Sequence, residues 1–243
     1  MRILVIDVGG THVKVLGTGR KVPIKIPSGP TMTARQMVSR VRAAVAGWTF
    51  EAVSIGYPGP VWRGKPVSEP KNLGSGWVGF NFSKAFGCPV IVTNDAAMQA
   101  LGSYRGGRML FLGLGTGLGS ALVIDGVVEP MELAHLPYRK GRTYEECVGD
   151  AGLKRLGEKK WRRRVMDVVT RLKAALAAED VVVGGGNARR LRRLPPGVRL
   201  GSNAYAFAGG YRLWTPARTR AQCKPELPLR SVSQLRQGRD CVE

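Results

Sequence analysis

The 243-residue chain is poor in cysteine, in acidic residues, in aromatics and in long apolar runs. Its four cysteines, Cys88, Cys147, Cys223 and Cys241, stand 59, 76 and 18 residues apart. That spacing forms neither a Cys-x-x-Cys zinc pair nor a disulfide framework, so they read as reduced thiols. No apolar run nears the ~18 residues of a membrane span. The strand-like run Arg2 to Ile6 meets Asp7 and two glycines too soon for the apolar core of a signal peptide. These absences lead to the expectation of a cytoplasmic protein with no membrane partner. No period repeats, which excludes collagen, coiled coils and repeat arrays. Acidic residues number 17 against 38 Lys+Arg, a formal net charge of +21. Such a surplus points to a polyanion, whether nucleic acid, anionic lipid or polyphosphate, and composition does not choose among them. What is present is 44% hydrophobic residues and 33 glycines. That fits a globular α/β protein of one large domain or two small lobes and argues against disorder.

The opening "RILVIDVGGTHVKVLGTGRKVPIKIPSG" alternates β-branched runs with glycine turns and predicts a three-stranded antiparallel meander. Met37, Val38, Val41 and Val45 keep helical spacing within Thr33 to Trp48. "AVSIGYPGPV" predicts a strand closed by a Pro-Gly turn, and "CPVIVTNDAAMQALGSY" a buried strand running into a helix at Thr93, Asn94 and Asp95. A hairpin is expected in "MLFLGLGTGLGSALVIDGVV", so the two halves look alike in plan. Beyond residue 143 the pattern turns helical: Val165, Val168, Val169, Leu172 and Leu176 line one face of a helix preceded by "KKWRRR". "DVVVGGGNARRL" predicts strand, glycine turn and helix start, and "NAYAFAGGYRLW" a last helix. The segment from Thr215, rich in Pro, Ser, Gln and Arg, predicts a disordered basic tail.

Three turns suit phosphate: "DVGGTHVK", "GLGTGLGS" and "GGGNARR". Residues without a Cβ let backbone N–H groups approach phosphate oxygens, and a Thr hydroxyl adds a donor. Glycine turns also simply close hairpins, and neither the Walker A pattern nor a Rossmann turn is present. Two Gly-Thr hairpins in similar halves plus a third glycine turn say more together than apart.

The ordered set "DVGGTHVKV", "VTNDAAMQALG", "LFLGLGTGLGSALV", "ELAHLPY" and "VVVGGGN" resembles the ROK sugar kinases over residues 2 to 214. The resemblance implies an α/β chain with the two-lobed actin-like ATPase (ribonuclease H-like) fold and a cleft between lobes. The expected lobes are residues 1–104 and 105–214, with 215–243 as tail. It implies phosphoryl transfer from ATP, with polyphosphate as a further candidate donor, to a hexose hydroxyl, with glucose the first candidate and glucose 6-phosphate the product. Asp95, matching the Asp of the family's "ND" pair, is the expected catalytic base. From the residues alone Asp95 could equally cap its helix, since Asn and Asp are favoured there. Asn72, Asn94, Glu132, His135 and Glu145 match polar sugar-binding positions, whereas His12 reads as merely exposed. Glu146 is one step from Glu145. Glu145 is preferred because it follows Gly141 by four residues, as in zinc-free relatives. The expected phosphate and nucleotide ligands are Asp7, Gly9, Gly10, Thr11, Lys14, Gly115, Thr116, Gly117, Gly185, Gly186 and Asn187, with Asp7 holding Mg²⁺ through water. Gly9, Gly10 and Gly115 are expected to offer their N–H groups to the donor.

The sequence departs from the family in two places. Many relatives carry a Cys-rich zinc loop after the histidine, whereas "HLPYRKGRTYEECVG" has only Cys147, so no zinc is expected. Family repressors have a helix-turn-helix before the first strand, which here begins at residue 2, so no specific DNA partner is expected. A homodimer is expected by resemblance alone. The zinc-free segment also resembles polyphosphate glucokinases. Lys154–Lys173 holds nine basic and two acidic residues, and Arg189–Arg199 five basic and none acidic, so the donor side is expected to be the positive one. The rival readings are a basic nucleic-acid-binding protein on a kinase scaffold, or a sugar sensor that does not phosphorylate.

Overall fold

The computed structural model describes residues 1–217. The basic tail expected from Thr215 lies outside the described residues except for its first three positions. The chain opens with an antiparallel meander, β1 (Ile3–Val8), β2 (His12–Gly17) and β3 (Ile24–Pro27). Helix α1 (Ala34–Ala44) starts on a Thr33–Gln36 capping box and buries Met37, Val38 and Val41. It returns the chain to β4 (Ala52–Tyr57), parallel to β1. A small hairpin, β5 (Val61–Trp62) and β6 (Lys65–Pro66), and α2 (Phe82–Phe86) lead to β7 (Val90–Asn94), parallel to β4. The first sheet thus has the order β3-β2-β1-β4-β7. Helix α3 (Asp95–Ser103) follows β7 without a loop.

The second half repeats this plan. β8 (Arg108–Leu114), β9 (Leu118–Ile124) and β10 (Val127–Met131) form a meander. A 3₁₀ turn (Leu133–His135), the hairpin β11 (Pro137–Arg139) and β12 (Arg142–Thr143), α4 (Tyr144–Val148) and α5 (Asp150–Ala175) precede β13 (Asp180–Gly184). A second 3₁₀ turn (Ala188–Arg190), β14 (Val198–Leu200) and α6 (Tyr205–Arg212) complete the described chain. The second sheet has the order β10-β9-β8-β13-β14.

Alternation along the strands sorts side chains into separate cores. In β1, Leu4, Ile6 and Val8 join α1 and α2 on the outer face, while Ile3 and Val5 meet Met98 and α6 on the inner face. In β8, Met109 and Phe111 meet α3, while Leu110, Leu112 and Leu114 join α5. Both central strands are covered on both sides, which is why they read as unbroken apolar runs. Helices α3 and α6 therefore lie between the sheets. They cross closely: a Cβ on Gly209 would stand 1.7 Å from the Met98 carbonyl oxygen, and one on Gly102 1.8 Å from that of Tyr205.

Several expectations change. The second hairpin is a three-stranded meander, because β10 pairs with β9 after the Asp125-Gly126 turn. "GGGNARRL" opens only one 3₁₀ turn, because the backbone turns extended at Leu191. "KKWRRR" lies inside α5, whose start at Asp150 is set off from the rest by Gly157 at φ 70°. The expected boundary at residue 104 also fails to separate the layers: α6 packs on the first sheet, where buried Ser54 donates to the Gly210 carbonyl at 2.6 Å and accepts from the Trp214 indole at 2.8 Å.

Candidate active site

Because β1, β4 and β7 are parallel, as are β8 and β13, their carboxyl ends fall on common edges. Those ends carry Gly9–Thr11, Pro58-Gly59, Asn94-Asp95, Gly115–Gly117 and Gly185–Asn187. Crevices outside the carboxyl ends of strands are where α/β sheets bind ligands. The halves meet here: a Cβ on Gly119, in β9, would lie 2.9 Å from the Cβ of Ala96 in the first turn of α3.

At that turn Asn94, not Asp95, is the cap. Its side-chain oxygen accepts from the Ala97 N–H at 3.1 Å, and its amide donates to the Gly59 carbonyl at 3.0 Å. Both ends of the Asn94 amide thus hold the backbone. Asp95 is the first helical residue, and its Oδ1 accepts from the Ala96 N–H at 2.7 Å. Burial, then the nearby Asp7 carboxylate and, more weakly, Glu132, push Asp95 up to about 7 despite that N–H. Asp7, at the end of β1, pairs with Lys14 across the hairpin at 3.0 Å.

The two Gly-Thr turns use part of their own donors. The Gly9 N–H donates to the His12 carbonyl at 3.1 Å, and the Gly115 N–H to that of Gly117 at 3.1 Å. The N–H groups of Gly10, Thr11 and Thr116 find no acceptor among the described residues. The donors left for an anion therefore differ from the expected trio of Gly9, Gly10 and Gly115, since turn closure claims two of the three. The third turn docks on the second: the Asn187 N–H donates to the Leu114 carbonyl at 3.0 Å, and its side chain donates to Asp150 at 2.6 Å. Gly185 sits at φ 82° with Leu114 behind it, so no Cβ fits, while Gly186 is open on that side.

On the other flank, Asn72 packs against Gly10, its Cβ 2.9 Å from where a glycine Cβ would be. Its loop is anchored by Glu69, which accepts from the Trp77 N–H at 3.1 Å and the Val78 N–H at 3.3 Å. Exposed Glu132 caps and exposed His135 ends the first 3₁₀ turn, His135 Nε2 lying 4.0 Å from Glu132 Oε2. Capping separates Glu145 from Glu146. Glu146 closes a capping box with Thr143, accepting from its N–H at 2.7 Å. Glu145 is left to face the second Gly-Thr turn, where it accepts from the Leu118 N–H at 3.4 Å beside Gly117.

Asp150 and Glu69 have no motif that would have picked them out. Asp150 joins two turns: its N–H donates to the Gly115 and Thr116 carbonyls at 3.1 and 3.3 Å, while its carboxylate takes the Asn187 amide. A Gly-Asp pair opening a helix was the only available signal. Beside it, Arg190 donates to Asn187 at 3.4 Å and to Glu158 at 3.3 Å, and Glu158 also pairs with Arg162. Two arginines of the basic runs thus sit at the third turn. Among the described residues no cluster of three His, Cys, Asp or Glu could enclose a metal ion. Mg²⁺ asks for less, since it keeps most of its waters and takes one or two carboxylates; Asp7, with Asp95 nearby, fits that need. No helix among the described residues is long and apolar enough to cross a membrane.

The ROK family model matches residues 3–129, just over half of the chain. A polyphosphate glucokinase of Mycobacterium tuberculosis strain H37Rv is 28% identical over 220 residues, covering 79% of this chain and 80% of that protein. The Mycobacterium leprae polyphosphate glucokinase is 26% identical over 215 residues, of which this chain spans 65% of the relative's length. Among solved structures, an inorganic polyphosphate/ATP-glucomannokinase from Arthrobacter sp. strain KM superposes with a TM-score of 0.72 at 23% identity, covering 91% of this chain and 98% of that one. A ROK family glucokinase from Streptomyces griseus, solved with glucose and AMPPNP, gives 0.70 at 18% identity, covering 88% and 99%. Both neighbours show the expected two-lobed fold.

Proposed function

The chain belongs to the ROK family, and from that premise we propose that it is a sugar kinase transferring a phosphoryl group to a hexose hydroxyl, glucose first among acceptors. The observation that carries this is Asp95: a carboxylate held near 7 at the start of α3, beside Asp7 of the first meander and next to Ala96, which meets Gly119 of the second. A base tuned close to the working pH accepts the hydroxyl proton as attack on the donor begins. Asn94 fixes the start of the helix and so the direction of that carboxylate. Glu132, His135, Glu145 and Asn72 supply donors and acceptors for the remaining hydroxyls. The free N–H groups of Gly10, Thr11 and Thr116 take the donor phosphates, and Lys14 offers a cation beside them. Asp7 would hold Mg²⁺ through its water shell, where the ion neutralises charge on the transferred group.

The donor is ATP, with inorganic polyphosphate as a second. Arg162 and Arg190 share the single Glu158, so the third turn keeps a net positive charge that favours a chain of phosphates there, in keeping with the relatives named for polyphosphate. Cys88 and Cys147, both free thiols, fit a cytoplasmic setting. The test is a coupled assay crossing glucose, mannose, fructose and N-acetylmannosamine with ATP and polyphosphate at low salt, on the parent and on Asp95→Asn. We expect glucose turnover in the parent and a loss of ~10²–10⁴-fold in the variant. Near-normal turnover in Asp95→Asn removes the base assignment. Duplex DNA binding at physiological salt with no sugar turnover by the parent replaces the kinase reading by the nucleic-acid one.

A further inference from the structure

The segment between Glu132 and Glu145 carries most of the polar groups assigned to the sugar, yet it has little secondary structure of its own. Its only sheet is the hairpin β11–β12, with two paired positions and an irregular register between Pro137 and Arg139. Two-stranded hairpins are marginal in isolation, so something else must hold the segment. Helix α5 buries Trp161, Val165, Val168, Val169 and Leu172 against the second sheet. On another face it presents Arg164, Asp167 and Arg171, three and four residues apart, one above the other.

Tyr138 meets that face. Its hydroxyl donates to Asp167 Oδ2 at 2.5 Å, the same oxygen accepts from Arg171 Nε at 3.0 Å, and the Arg171 guanidinium lies 5.9 Å from the centre of the Tyr138 ring. The Arg164 charge on the same face opposes the upward push that burial and Asp167 give the Tyr138 hydroxyl. Tyr144 stacks on the Tyr138 ring at 5.1 Å between centroids and 29° between planes, with its N–H on the Leu136 carbonyl at 3.1 Å. Tyr138 follows His135 by three residues and Tyr144 immediately precedes Glu145, so the contact grips the segment beside both ends. The Tyr138 hydrogen bond holds the Asp167 carboxyl below the usual range, which keeps the charged acceptor in place.

We propose that Tyr138 and Asp167, stacked and braced by Tyr144 and Arg171, form a clasp that positions the segment bearing Glu132, His135 and Glu145 for the sugar. They are positioning residues, and the proposal rests on the sugar-kinase reading. Tyr138→Phe keeps the ring stack and deletes only the hydroxyl, and Asp167→Asn deletes only the charge. Each is expected to raise KM for glucose about five-fold, the scale of one hydrogen bond to a charged group. KM for ATP should stay within about two-fold. The double variant should be no worse than the more affected single one, since both remove one interaction. Hydrogen exchange should speed up in residues 132–145 and not in the first meander. A glucose KM that does not move, or that moves together with the ATP KM, overturns the clasp. So does unchanged exchange in 132–145, whether or not the protein turns over sugar. A parent with no sugar turnover but faster segment exchange in Tyr138→Phe overturns instead the kinase reading, and with it the clasp's stated purpose.

Discussion

At the first position of a helix a carboxylate normally gains from the unpaired N–H groups and the positive end of the dipole, yet Asp95 stands near 7. Burial beside Asp7 outweighs the Ala96 hydrogen bond, and this has two measurable consequences. Turnover should rise with pH through a limb near 7 as Asp95 loses its proton, and Asp95→Asn should flatten that limb in the residual activity. The same shift bears on stability. An unfolded Asp titrates near 3.8, so between about pH 4 and 7 the folded chain holds the extra proton, and stability falls as pH rises through that window. Asp95→Asn should therefore melt higher than the parent at pH 8, by the equivalent of about 1–3 kcal/mol, with the gain vanishing towards pH 4. A variant that melts lower at pH 8 contradicts the raised pKa. Asp95 was marked out by its place between a strand and a helix together with the resemblance of its Asn-Asp pair to the family's, the residues alone leaving it equally a cap. That Asn94 is the cap, and that Glu146 rather than Glu145 closes the capping box, depends on backbone angles that neighbouring Asn-Asp and Glu-Glu pairs leave open.

At the crossing of α3 and α6 the two backbones approach closely because Gly102 and Gly209 lie there. No side chain fits at either point, because the obstruction is backbone that cannot rotate aside. Gly209→Ala is expected to cost about 1–3 kcal/mol or more by overpacking, read as a lower urea midpoint at unchanged m-value. Since α3 begins with Asp95, turnover should fall with it. A substitution tolerated without loss would mean that the helices are free to separate. Elements with a strong period were readable: the first meander, α1 and the apolar face of α5. The 3₁₀ turn at Ala188–Arg190 and the hairpin β11–β12 were not. Too few residues take part for a period to show, and their partners, such as Asp167 for Tyr138, lie far along the chain.

The surplus of charge belongs to the whole molecule. Some of it is locally tied: Arg162 and Arg190 share Glu158, and Arg199 pairs with Asp180 at 2.8 Å. The remainder leaves a strongly positive surface, and a polyanionic donor should feel it over about 10 Å at moderate salt. Raising NaCl from about 50 to 300 mM should therefore lift KM for polyphosphate several-fold more than KM for ATP, because a longer donor meets more of the field. Equal salt dependence of the two donors would confine the charge to a role in solubility.

The sequence by itself determined the two repeated halves, the glycine turns, the order of motifs and the alternation that buries each central strand on both faces, because all of these are local or periodic. Only the tertiary structure decided that α6 belongs with the first sheet, that Asp95 sits near 7, that turn closure consumes the Gly9 and Gly115 donors, and that Tyr138 reaches Asp167. Each of these is a contact or a loss of solvent between residues brought together by packing, and no spacing along the chain encodes it.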